Sequence, residues 1–279
     1  MARLNTRTIV ESLHFGDQMF RTLKGVRPIH SPQGGFKFAC GRHSVLLEAE
    51  VQQRRCGLKC YISPQPHLEA ICDLLSYTHN GLIVTPTALP QELWVGDRYV
   101  DVALYPWVEG HTLDREVRRA IYNKDQSSLA HLAEEFRRLA LSLLECEWRH
   151  GDLKCENIIV GPDGTMTLID CDAIYSHELP FRGEIGTPPY IHSSRKEAYD
   201  THLDDYAIAL IITSLEALAA DPALADKESM VAAPSENNKE AIERIFANNA
   251  PLGELHAALY GTSYAIDNLK HIIKCIKHR

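Results

Sequence analysis

The spacing of apolar residues divides the chain into two kinds of segment. In the first third, Phe36–Cys40, Val45–Val51 and Cys56–Ile62 are short apolar or alternating runs, broken by Gly41 and by the polar stretch Gln52–Arg55. Runs of this kind predict strands, because successive side chains of a strand point to opposite faces. A segment after Pro66, residues 67–78, reads as a helix. Two further strands fit Glu92–Val95 and Tyr99–Val108, with the turn Gly96–Arg98 between them. After Glu109–Leu113 the period changes. Leu129, Leu132, Phe136, Leu139 and Leu143 fall three and four residues apart, the apolar stripe of one helix, with Glu134, Arg137 and Arg138 expected on its other side. Asp205–Leu218 is apolar nearly all round and predicts a buried helix, with Asp204 placed as its N-cap. Residues 221–240 read as a mobile connection, and two short helices are expected to close the chain. The pattern predicts an α+β protein: an N-terminal extension over 1–35, a strand-rich part over 36–108 and a helical part over 109–279, with the boundary near Val108–Gly110.

A chain of 279 residues fits one large domain or two lobes with a cleft between them. A net charge of −8 argues against a generic nucleic-acid or anionic-membrane binder. The apolar residues of the first eighteen positions are interrupted by Arg, Asn, Glu and Asp, unlike a signal peptide, and the run Tyr206–Ala220 is too short to span a bilayer. The eight cysteines form no CxxC pair, so reduced thiols in the cytoplasm are expected. The histidines show no metal-ligand spacing, and no zinc site is predicted.

One stretch carries chemistry. "HGDLKCEN", His150 to Asn157, sits where a loop should follow a helix. "IIV" then enters a strand, "GPDG" turns it, and "TMTLID" returns to Asp170. A hairpin brings the end of its second strand beside the start of its first, so Asn157 and Asp170 become neighbours. Two oxygen ligands of this kind suit Mg²⁺, which takes one or two protein oxygens together with phosphates and water. Asp152 is left to accept a proton, and Lys154 can place a positive charge on a phosphoryl group. These are the parts that phosphoryl transfer requires.

The stretch resembles the catalytic loop of the protein kinase superfamily, usually HRD followed by LKxxN. By that resemblance Asp152 is the base that orients a substrate hydroxyl, Lys154 matches the lysine of Ser/Thr-specific members, and Asn157 is a metal ligand. "LIDCD" occupies the place of the DFG segment, with Asp170 as the metal-binding acid. "CGLKC" is similar to the VAIK strand and implies that Lys59 meets the α- and β-phosphates. Leu58 and Cys60 are expected on the other face of that strand. The partner of Lys59 is expected to be Glu69, with Asp73 as the alternative. "GRHSVLLEA" resembles a worn glycine-rich loop that keeps Gly41 and Val45. "YPWVEGHTL" resembles the hinge, where the backbone of Pro106, Trp107 and Val108 would face adenine, and Gly57 leaves room over the base beside Val45 and Ile159. "GTPPYI" resembles the peptide-docking segment, with Thr187 near the catalytic loop, and Asp204 the acid that anchors that loop's backbone. The resemblance spans about Phe36 to Leu218. It implies a protein-kinase-like two-lobed fold, with a small antiparallel-sheet N-lobe and a mainly helical C-lobe. It also implies ATP and Mg²⁺ as cofactors and a Ser/Thr protein substrate, with no nucleic-acid or membrane partner.

Three departures matter. Gly151 stands where regulated kinases carry Arg, so nothing there can pair with an activation-segment phosphate. "HGD" is also seen in small-molecule kinases, which keeps a small-molecule substrate open. Arg42 and His43 replace small residues of the glycine loop, and "HSSR" replaces the acid-bearing APE segment. The worn loop and "DCD" keep open a nucleotide-binding pseudokinase scaffold. His150 is expected to brace the loop. The basic residues Lys270, Lys274, Lys277 and Arg279 are expected to complement the dipole of their own helix.

Overall fold

The computed structural model describes residues 4–41, 43–77, 81–180, 186–196, 199–225 and 236–277. Arg42, Thr78, Arg279 and residues 226–235 of the expected connection lie outside them, as do residues 181–185 after the DCD segment. The chain is α+β and divides into two compact units, Met1–Val108 and Glu109–Arg279. Among the described residues no helix is long and apolar enough to cross a membrane.

The first unit opens with helix α1 (Thr6–Leu13), capped by Asn5, whose side chain accepts from the Thr8 amide. Strands β1 (Val26–Pro28), β2 (Phe38–Cys40), β3 (Ser44–Val51) and β4 (Arg54–Tyr61) follow. Helix α2 (Leu68–Tyr77) then precedes β5 (Thr87–Val95) and β6 (Arg98–Pro106). The sheet is antiparallel in the order β1-β3-β4-β6-β5, with β2 also paired to β3. One face is the core: Val45, Leu47 and Ala49 of β3 pack with Cys56, Leu58 and Cys60 of β4 and with Leu93 and Val102.

Residues 4–35 are no separate extension. Ile9, Leu13, Phe20 and Val26 belong to the same core cluster. The buried Glu92 pins this segment by accepting from the Thr22 and Leu23 amides at 2.8 and 2.6 Å and from Thr22 Oγ1 at 2.6 Å. A sheet with one apolar face must bury it, and here the N-terminal segment is what covers it.

The second unit contains β7 (His111–Thr112), α3 (Leu113–Tyr122), α4 (Gln126–Leu143), β8 (Ile158–Val160) and β9 (Met166–Leu168). Helices α5 (Asp205–Ala220), α6 (Glu236–Phe246), α7 (Ala250–Ala258) and α8 (Leu269–Lys274) complete it. Three helices, rather than two, thus follow α5 among the described residues. The three strands form a small antiparallel sheet. The expected stripe of α4 is buried throughout. Arg137 departs from expectation: it is buried with the stripe, 3.5 Å from Glu216 of α5. Helix α5 is nearly wholly buried, so the partner for a cation on the α4 interface comes from that helix.

Candidate functional site

The loop after α4 is held by its own backbone. Arg149 exchanges both main-chain hydrogen bonds with Tyr175, and its guanidinium donates to the carbonyls of Cys146, Trp148 and Thr201 at 2.7–2.8 Å. His150 is fully buried, and its Nε2 lies 2.9 Å from the Ile169 carbonyl, so that nitrogen carries the proton. The brace expected of His150 thus links the loop to the return strand. Asp204 anchors the next turn: its two carboxylate oxygens accept from the amides of His150 at 2.6 Å and Gly151 at 2.9 Å. Although it sits at the N-cap position of α5, its side chain makes no capping bond, because both oxygens serve the loop. Gly151 has φ +78, and a Cβ there would stand 2.1 Å from the Ala173 carbonyl oxygen. No other residue fits.

Beyond Gly151 the polar side chains converge. Asp152 Oδ2 is 2.6 Å from Lys154 Nζ, and Asp152 Oδ1 accepts from Thr187 Oγ1 at 2.8 Å. Lys154 Nζ also donates to Thr187 Oγ1 at 3.1 Å, which closes a ring of three side chains. Asp152 and Lys154 each keep 19% of their side-chain surface open, so the carboxylate is oriented yet reachable. Asn157 Nδ2 donates to the Asp152 carbonyl at 2.9 Å, which leaves the amide oxygen for a cation. Cys155 is buried in the loop, and burial pushes its thiol up to about 12. That thiol is therefore a packing group and not a nucleophile.

The hairpin β8–β9 pairs Ile158 with Leu168, and the Ile169 amide donates to the Asn157 carbonyl at 2.9 Å. Asp170 is thereby brought next to Asn157 along the return strand, with φ +66, a left-handed conformation uncommon for a residue with a Cβ. One amide oxygen and one carboxylate are hard oxygen donors of the type Mg²⁺ takes, so the residues present fit that ion. Among the described residues no group of three or more His, Cys, Asp or Glu side chains could hold a metal. Ile159 is half-buried on β8, opposite Thr112 and Thr167.

In the sheet unit, Lys59 lies on β4 between Leu46 of β3 and Ala103 of β6. It is buried, with its Nζ 5.6 Å from the centre of the Tyr61 ring. Leu58 and Cys60 face the core on the other side. Gly57 shares the Lys59 face, and a Cβ on it would come within 3.1 Å of Leu46 Cδ1. Val45 does not share it. It pairs with Cys60 and is buried in the core, so Leu46 is the β3 residue beside Gly57 and Lys59. A register shift of one residue exchanges the two faces of a strand.

Glu69 and Asp73 are corrected as well. Helix α2 buries Leu68, Ile71, Cys72 and Leu75, which leaves Glu69 and Asp73 exposed one turn apart on the other stripe. Among the described residues neither forms an ion pair with Lys59. Glu69 instead lines a surface groove with Arg21, Pro66 and Asp101. Gly41 closes the β2–β3 turn by donating to the Ser44 carbonyl at 2.9 Å. Pro106 ends β6, and the Arg55 guanidinium stacks 4.2 Å over the ring of Trp107, with Val108 half-buried beyond it.

Two residues of these sites are not singled out by the sequence: Leu46, legible only from strand register, and Arg195, which is buried beneath the loop. No protein-family model matches the chain, and no curated protein matches it.

Proposed function

We propose that this chain is an ATP- and Mg²⁺-dependent phosphotransferase of the protein-kinase type, transferring the γ-phosphoryl group to a Ser/Thr hydroxyl of a protein. The sheet unit is read as the nucleotide-binding N-lobe and the helical unit as the catalytic C-lobe. The observation that carries the reading is the Asp152 carboxylate, bonded to both Lys154 and Thr187 while remaining partly open. A base must be oriented and reachable, and this one is both.

In the proposed reaction Asp152 accepts the proton of the substrate hydroxyl as the new O–P bond forms and ADP departs. Lys154 places its charge beside the transferred group, and Thr187 fixes the carboxylate. Asn157 and Asp170 would hold the metal, which supplies charge neutralisation on the phosphates. Lys59 is assigned to the α- and β-phosphates.

The test is transfer of labelled phosphate from MgATP to the chain itself and to generic protein substrates, with Asp152→Ala alongside. Transfer abolished in the variant is expected. Undiminished transfer in Asp152→Ala overturns the assignment.

A second reading is a nucleotide-binding scaffold without transfer. The observation favouring it is the β2–β3 turn, where the Gly41 amide is engaged by Ser44 rather than offered to a phosphate. ATP raising the melting temperature without any labelled transfer selects that reading.

A further inference from the structure

Arg195 ends a short 3₁₀ turn, Ser193–Arg195, in the segment that follows Tyr190. It is only 5% exposed. Among the described residues it forms no ion pair with a carboxylate. Its donors meet backbone instead: Nη2 donates to the Gly151 carbonyl at 3.0 Å and Nη1 to the Leu203 carbonyl at 3.3 Å. Its Nε is buried without a partner. Burial pulls the guanidinium pKa down, opposed at longer range by Asp204, Asp152 and Asp200. A buried cation without a paired anion is unfavourable for stability, and an apolar side chain of similar volume would serve packing better. Packing alone therefore does not account for an arginine here.

The group it touches is the hinge of the loop. Gly151 has its amide bonded to the Asp204 carboxylate and its carbonyl to the Arg195 guanidinium, an anion on one side and a cation on the other. Gly186 packs over this pair, since a Cβ there would lie 3.2 Å from both Gly151 O and Arg195 Nη1. The Gly151 carbonyl shares a rigid peptide plane with the Asp152 nitrogen. Fixing that plane fixes the direction in which the Asp152 side chain leaves the backbone. Lys154 and Thr187 hold the same residue by its carboxylate.

We propose that Arg195 is a positioning residue that clamps the Gly151 peptide against Asp204 and so orients Asp152. Its consequence for rate rests on the phosphotransferase reading, whereas the clamp itself does not. The arginine reaches the loop from 44 residues further along the chain, and it is built in rather than recruited by modification.

The test compares full-length wild type, Arg195→Met and Arg195→Lys. In Arg195→Met, kcat for phosphotransfer is expected to fall about 10- to 100-fold with KM for ATP unchanged, the rate equivalent of a charge-assisted hydrogen bond. The ¹⁵N resonance of the Asp152 amide is expected to move, because the lost bond was to its own peptide. Arg195→Lys is expected to recover part of both. A folded Arg195→Met with wild-type kcat, or with an unmoved Asp152 amide, overturns the proposal. If wild type transfers no phosphate, the phosphotransferase reading fails by itself. The amide resonance then decides the clamp, which stands if the signal moves in Met and returns in Lys, and falls if it does not move. Should Arg195→Met fail to fold, Arg195→Gln, which keeps a polar stem without the charge, is measured against the same criteria.

Discussion

Thr187 Oγ1 donates a 2.8 Å hydrogen bond to Asp152 Oδ1, joining two segments 35 residues apart in sequence. The hydroxyl also accepts from Lys154, so one threonine sets both the acid and the cation. Replacing it with alanine removes both bonds and leaves the ion pair to orient itself. Thr187→Ala is expected to lower phosphotransfer about 10- to 100-fold, with Thr187→Ser close to wild type. Asp152→Ala is expected to cost several orders of magnitude while the circular-dichroism melting curve stays in place. Labelled-phosphate transfer measures both, and a fully active Thr187→Ala would show that the ring is incidental.

Gly151→Ala tests the backbone of the same loop. The new Cβ would collide with the Ala173 carbonyl at a positive φ, so the substitution is expected to destabilise by about 3 kcal/mol or more. Urea denaturation reads this directly. An unchanged midpoint would mean that the loop relaxes freely and that Asp204 does not hold it.

Gly151 also makes a regulatory prediction, since no guanidinium extends from that position towards a phosphate. Treatment with phosphatase is expected to leave the transfer rate unchanged. A severalfold loss, traced to a site between Ala173 and Gly186, would sink this expectation.

Behind the loop, Asp205 is buried, and burial pushes its carboxyl up to about 6 despite the Ile266 amide and His202. A folded-state value above the unfolded one means that the native state binds the extra proton. The resulting stabilisation is fully present below about pH 4 and is lost as pH rises through 6. Relative to Asp205→Asn, wild type is therefore expected to lose up to about 3 kcal/mol between pH 4 and 7. His256, which burial holds neutral, acts in the opposite direction on acidification in both proteins and cancels from the comparison. Paired denaturation curves across that range decide it; a constant difference between the two proteins rules the effect out.

In the sheet unit, Glu92→Ala leaves the Thr22 and Leu23 amides without their acceptor. A loss of about 2–4 kcal/mol is expected, since a hydrogen bond to a charged group is worth about 1.5–3 kcal/mol and buried donors are left unpaired. Hydrogen exchange should show the loss first at residues 20–26. Protection there equal to wild type would mean that α1 and Phe20 hold the segment by packing alone.

Much of this architecture is legible in the order of apolar and polar residues. The alternating runs mark the strands of the sheet, and the Leu129–Leu143 stripe marks α4, because period reports which face is buried. The expectation for Glu69 fails although a signal against it exists: Leu68, Ile71, Cys72 and Leu75 form the buried stripe, and that stripe excludes the acids between them. Arg137 has no such signal, because a buried arginine is recognised only from its partner on another helix. Val45 and Leu46 are both apolar and adjacent, so no pattern says which of them stands beside Lys59.

By itself the sequence determined what is local: the order of strands and helices, the loop that carries Asp152, Lys154 and Asn157, and the short hairpin that returns Asp170 to that loop. These depend on side-chain periodicity and on a turn of a few residues, which neighbouring positions encode. Only the tertiary structure decided that Thr187 meets Asp152, that Asp204 and Arg195 grip opposite ends of the Gly151 residue, and that residues 4–35 close the sheet's core. Those contacts join positions 35, 53 and 44 residues apart in the loop's case. Bringing such distant segments together is set by how whole elements pack, which no local pattern records.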